Sequence, residues 1–159
     1  MSQSTNPLTR ARKAIEARVQ TITLDNGSRT NIGTNLRTGW LNEVLTTKGL
    51  PSSLCVLQLA SGLPPQKGPH ALKVFKGFYV IGLASVGLDN YEDMLDDMEV
   101  DLLESLVPPD GQPCRWLPRT SGFSGITVGA PEHFPPGQGQ KYAGVLIPVH
   151  VHTIIQDKS

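Results

Sequence analysis

From Val145 to Ile155 every second residue is β-branched: Val145, Ile147, Val149, Val151, Thr153 and Ile155. Between them stand Leu146, Pro148, His150, His152 and Ile154. Side chains alternate across a strand with period two, so this pattern predicts a strand with one buried face. Such a strand needs neighbours in a sheet and a second layer over its buried side. Pro148 has no N–H to donate, which places the strand at a sheet edge or marks a local irregularity.

Two helical stripes supply the cover. Leu8, Ala11, Ile15, Val19 and Ile22 recur at three- and four-residue intervals, with Arg10, Lys13 and Glu16 away from the stripe. Asn6 can cap this helix, Pro7 suits its first turn, and it should end near Gln20. Tyr91, Met94, Leu95, Met98, Leu102 and Leu106 form the second stripe. Asp89 and Glu92 have the spacing of an acidic cap with a reaching glutamate, and Pro108-Pro109-Asp110-Gly111 ends the helix.

Leu54 to Ala60 reads as a strand. Ala71 to Ser85 reads as a longer one with apolar residues on both faces, so it is central in its sheet or meets a partner. Phe123 to Gly129 is a further strand candidate. Ser61 to His70, residues 111–125 and Ala130 to Gln140 are rich in Pro and Gly and read as loops. Asp25-Asn26-Gly27-Ser28 is turn chemistry, Arg29 to Thr34 fits a short strand, and Leu36 to Leu45 fits a helical turn or an extended arm. The pattern over 25–50 settles no fold. The expected class is α+β: an antiparallel or mixed sheet packed by two main helices on one face, with long Pro/Gly-rich loops. A chain of 159 residues suits one domain, 1–159, with residues 1–6 as a flexible N-terminus.

Charge narrows the function. Fourteen basic residues balance fourteen acidic ones, which argues against tight sequence-independent binding to nucleic acid. The balance is uneven, however. Residues 1–50 carry seven basic and three acidic side chains, whereas residues 89–110 carry nine acidic and no basic ones. Self-association through unlike faces would use such a split, and two solvated surfaces would show it too. Cys55 and Cys114 read as reduced thiols, and no apolar run approaches the roughly 18 residues of a membrane helix.

Catalytic and metal-binding patterns are weak. His150 and His152 share one face of a strand, but His70 and His133 lie in loops and no zinc motif completes a ligand set. Asp89, Glu92, Asp93, Asp96, Asp97, Glu99, Asp101 and Glu104 sit opposite an apolar stripe and read as a solvated helix face. Thr120 to Gly125 is no nucleophile elbow, and Gly125 to Gly129 matches no phosphate or dinucleotide loop. The expectation is therefore no enzyme, no metal and no cofactor.

The element order and several local patterns do resemble a known family. An amphipathic helix (LTRARKAIEARV) precedes a polar turn (DNGSRTNIG) and a strand introduced by Leu-Pro (LPSSLCVLQL). A long strand (ALKVFKGFYVIGLAS), an acidic helix (DNYEDMLDDMEVDLLESL) and a closing strand (AGVLIPVHVHTI) follow. Over residues 7–156 this order resembles the tail terminator (tail completion) proteins of long-tailed bacteriophages, which cap the tail tube at its head-proximal end. Residues 30–50 and 108–125 match no pattern of that family.

The resemblance implies a homohexameric ring that ends tube polymerisation, with no cofactor and no catalysis. It implies the tail tube protein on one side and a head-completion or connector protein on the other, with the sheath as a further partner in a contractile tail. Genomic DNA would only pass through the lumen, and no membrane is involved. The implied location is the virion tail or neck, and the host cytoplasm during assembly. Candidate contact residues on the loops are Lys67, His70, Arg115, Arg119 and the aromatic Phe134. Other small head–tail junction proteins share this layout. The residues alone leave open a metal-dependent hydrolase built on His150 and His152, and a monomeric binding module.

Overall fold

The computed structural model describes residues 6–108, 114–117 and 122–156. The sheet has the order β1 (Leu36–Thr38), β2 (Ser53–Lys67), β3 (Ala71–Ser85), β6 (Tyr142–Gln156) and β4 (Phe123–Val128). The short β5 (Glu132–Phe134) also pairs with β6. β1 runs parallel to β2 and the remaining pairs are antiparallel, so the sheet is mixed. The fold is α+β, as the two periodicities imply.

β3 is central and buried on both faces in its second half. Its partners run from Ala71 opposite Gln156 to Ser85 opposite Tyr142. Phe78, Val80 and Ala84 point to one layer, and Ile81 and Leu83 to the other. β6 lies inside the sheet and not at an edge. Its proline is tolerated because the neighbouring strand is broken beside it. Gly129 donates its N–H to the Pro148 carbonyl (2.7 Å), between the ends of β4 and β5. Pro148 has no N–H to return the bond to Gly129, and β4 ends one residue earlier, at Val128.

The segment from Ser61 to Lys67 is strand, not loop. β2 carries one extra residue between Ala60 and Leu63 and another between Leu63 and Gln66, opposite a regular β3. Gly62 falls in the first bulge, and Pro64 and Pro65 in the second. β1 pairs with β2 only from Cys55 to Leu57, so the prolines sit on an edge that needs no donors from them. The turn itself spans only Gly68 to His70.

α1 (Pro7–Val19) begins as expected. The Asn6 side chain accepts from the Thr9 N–H (2.9 Å), and Ala11, Ile15, Val19 and Ile22 are fully buried. α3 (Tyr91–Leu106) buries Leu95, Met98, Leu102 and Leu106. Its cap differs from expectation: Asn90 precedes the first helical residue, and no side chain caps the helix. Both helices pack on one face of the sheet. α3 packs tightly at Gly82, where a Cβ would lie 3.0 Å from the Met98 sulfur.

Residues 25–50 follow the sequence expectation in the turn ending at Gly27 and in a helical turn within Leu36 to Leu45, and depart from it between them. Arg29 to Thr34 forms no strand. A 3-10 turn over Ile32–Asn35 leads into β1, because Gly33 packs on the end of α1 and donates to the Ile22 carbonyl (2.9 Å). A third helix, α2 (Leu41–Leu45), covers the opposite sheet face with Val44 against Leu54, Val56, Ile81 and Leu83. Ala130 to Gln140 also holds more structure than expected, since β5 lies within it.

Candidate functional site

Unlike surfaces occupy the two edges of the sheet. At the β1–β2 edge, a cleft of about 290 Å³ is lined by Arg12, Lys13 and Glu16 of α1, by Trp40, and by Leu57 and Leu59 of β2. Trp40 is 51% exposed and Leu59 37%, which is unusual for side chains this apolar. Glu16 lies 3.6 Å from Arg12 and 3.9 Å from Lys13, so one acid faces two bases and the cleft keeps a net positive charge. At the far edge, beside β5, a cleft of about 370 Å³ is lined by Tyr91, Glu92 and Asp96 of α3 and by His133, Phe134 and Pro136. Asp89, Glu92, Asp93 and Asp96 are exposed along this side of α3 and the turn before it. One edge is basic and the other acidic, and both carry aromatic side chains.

The ends of the sheet differ as well. Lys67 and His70 flank the β2–β3 turn and are both exposed. Lys67 lies opposite Leu72, which lies opposite Ile155 of β6. Phe134 lies opposite Gly144, at the other end of β6. Eleven residues of strand separate those positions, roughly 35 Å at the usual rise. Phe134 is half-buried, because its ring occupies the space a Cβ on Gly144 would need. The same ring also lines the cleft beside β5. Arg115 is exposed in the turn Cys114–Leu117, beside Trp116, whose ring lies 5.9 Å from the Arg18 guanidinium. Arg119 lies outside the described residues. The five sequence candidates therefore do not form one patch; Lys67 and His70 share one end, and Phe134 belongs to the opposite one.

No known protein-family model matches the chain, and no curated protein matches its sequence.

His150 and His152 have separate local partners. His152 Nε2 lies 2.8 Å from the Thr127 hydroxyl and its ring stacks edge-on against Phe75, with centroids 4.9 Å apart. His150 Nε2 lies 3.3 Å from the Ser61 carbonyl. Burial, followed by the charges of Lys73 and His150, holds the His152 pKa below its ordinary 6.5. Among the described residues, the group of three side chains spaced to hold a metal is Asp96, Glu99 and His133; it contains neither His150 nor His152, and its histidine lies on β5, where the sequence suggested a loop. Both described cysteines are free thiols, and burial pushes Cys55 up to about 12. Among the described residues no helix is long and apolar enough to cross a membrane.

One carboxylate leaves the solvated face assigned to it. Asp101 is only 3% exposed and accepts from the Arg29 N–H (3.0 Å), the Thr30 N–H (2.8 Å) and the Thr30 hydroxyl (2.7 Å). It fastens the α1–β1 connection to α3. The signal was present in the helical phase, since position 101 is one turn from Met98 and adjacent to Leu102.

Proposed function

We propose that this chain is a structural subunit that closes with copies of itself into a ring at the head–tail junction of a long-tailed bacteriophage. In this reading the ring caps the tail tube, ends its growth and joins it to a head-completion or connector protein. The observation that carries the reading is the placement of unlike surfaces on opposite sheet edges: Arg12, Lys13, Trp40 and Leu59 on one, and the acidic side of α3 on the other. Unlike patches joined head to tail form a heterologous contact, which closes into a ring when the rotation per subunit fits. Pro64 and Pro65 on the open edge of β2 disfavour strand-to-strand pairing there, leaving side-chain surfaces to make the contact. The two sheet ends, one with Lys67 and His70 and the other with the 132–140 segment, then serve as the axial faces toward different partners. The sequence resemblance supplies the biological setting. The reading assigns the chain no catalytic role.

A charge exchange tests it. Arg12→Glu with Lys13→Glu should lower the particle mass in solution and stop heads from joining tails. Adding Glu92→Lys and Asp93→Lys in the same chain should restore the assembled mass. Unchanged mass in the first variant would remove the edge-to-edge contact, and failure of the exchange to rescue would remove its electrostatic basis.

A further inference from the structure

The geometry points to a divalent transition-metal site formed by Asp96, Glu99 and His133. Asp96 and Glu99 are one turn apart on α3, so their carboxylates share a side of the helix. His133 comes from a different element. β5 holds it opposite Val145 of β6, on the sheet face that α3 covers. One ligand atom from each of the three residues lies within 4.8 Å of the other two, and His133 Nε2 is 2.8 Å from Glu99 Oε1. Ligands bound at about 2.0–2.2 Å around one ion are about 3–4 Å apart, so small side-chain rotations complete the set.

The donor types choose the ion. One imidazole nitrogen and two carboxylates form a mixed N/O set, which suits Zn²⁺ or Mn²⁺ better than the all-oxygen shell of Ca²⁺ or Mg²⁺. The imidazole separates this group from an ordinary acidic helix face, which offers oxygen alone. The site also has an open side. Asp96 and His133 line the 370 Å³ cleft together with Tyr91 and Glu92, leaving room for water or for a side chain of another molecule in the remaining positions. Glu92, one turn before Asp96, places a further carboxylate there. An ion at this site would tie β5, a strand of only three residues, to α3. The site shares its cleft with the acidic edge of the proposed ring, but its three ligands come from one chain, so it can be tested on a monomer.

The ion–His133 pairing sets the test. The purified full chain, stripped with chelator, is titrated with Zn²⁺, Mn²⁺ and Co²⁺, following bound ion per chain, melting temperature and the visible spectrum of Co²⁺. The expected result is one ion per chain, a higher melting temperature and a Co²⁺ spectrum carrying nitrogen ligation. His133→Ala should weaken binding by about ten-fold or more, given that losing even a supporting hydrogen bond around a metal has that effect. It should also remove the nitrogen signature while leaving the metal-free fold intact by circular dichroism. His150→Ala with His152→Ala should leave binding unchanged. No stoichiometric ion on the wild-type chain at micromolar free metal, or full binding in His133→Ala, would overturn the site. If His133→Ala disturbs the fold, Asp96→Asn with Glu99→Gln gives the same reading from exposed or half-exposed helix positions.

Discussion

The two halves of the β2–β3 hairpin are built from the same strands but live in different surroundings. In the half from Ser53 to Gln58, Leu54, Cys55, Val56 and Leu57 are all buried, between α1 and α3 on one side and α2 on the other. In the half from Leu59 to Lys67 every residue but Ala60 is exposed, including Leu63 at 49%. α2 reaches only as far as Gln58, whose side chain accepts from the Leu41 N–H (2.8 Å). Beyond that point the face opposite α1 presents Leu63, Lys73, His150 and His152. A continuous hairpin thus serves as core at one end and as a projecting platform at the other, and two bulges mark the change.

The covered half should break hardest. Met98 is fully buried against Gly82 within the apolar core. Met98→Asp should cost about 4 kcal/mol or more and abolish the cooperative melting transition. Asp97→Ser, one residue away and half-exposed, should shift stability by less than about 0.5 kcal/mol. A normal transition in Met98→Asp would show that α3 does not seal this half.

Asp101→Ala tests the same half from its polar side. It leaves the Arg29 and Thr30 N–H groups and the Thr30 hydroxyl without their acceptor. The expected loss is about 2–4 kcal/mol by chemical denaturation, and Asp101→Asn should lose less because it keeps one acceptor oxygen. Equal stability in Asp101→Ala would mean that the connection between α1 and β1 is held by its other contacts, such as buried Ile32 and the Gly33 N–H to the Ile22 carbonyl.

The open half should respond weakly, and to pH. The folded chain binds a proton at His152 less readily than the unfolded chain, because of burial and then Lys73 and His150. The unfolded state therefore gains protons first as pH falls through the ordinary histidine range near 6.5. The contribution of neutral His152 is present above that range and is lost below it. His152→Gln keeps a polar partner for Thr127, so its melting temperature should fall less than that of the wild type between about pH 7.5 and about pH 5.5. An identical fall in both would assign the acid sensitivity to other groups.

The covered half was also the legible half. The stripes of α1 and α3 and the alternation in β6 each report a single buried face, and periodicity reads that directly. The platform was hidden by its own chemistry. Gly62, Pro64 and Pro65 are loop residues by composition, yet bulges on an unpaired edge admit all three without ending the strand. Pro148 pointed to an edge or a local irregularity, and the second holds: the neighbouring strand breaks between Val128 and Glu132. The edge clefts depend on contacts across the fold. Trp40 lines one cleft with Arg12 and Leu59, and His133 meets Asp96 and Glu99, at separations no local pattern encodes. The packing of Phe134 was equally hidden, because its glycine seat, Gly144, is ten residues away in sequence and opposite only in the sheet.

The central claim is that the two unlike edges meet between copies of the chain. Light scattering coupled to size separation, on the purified wild-type chain over a range of concentrations, tests it most directly. The account predicts a discrete particle of several chain masses, six times 17.2 kDa for the ring the sequence resemblance implies, that dissociates as salt is raised. A species of 17.2 kDa at every concentration and at low salt would contradict it.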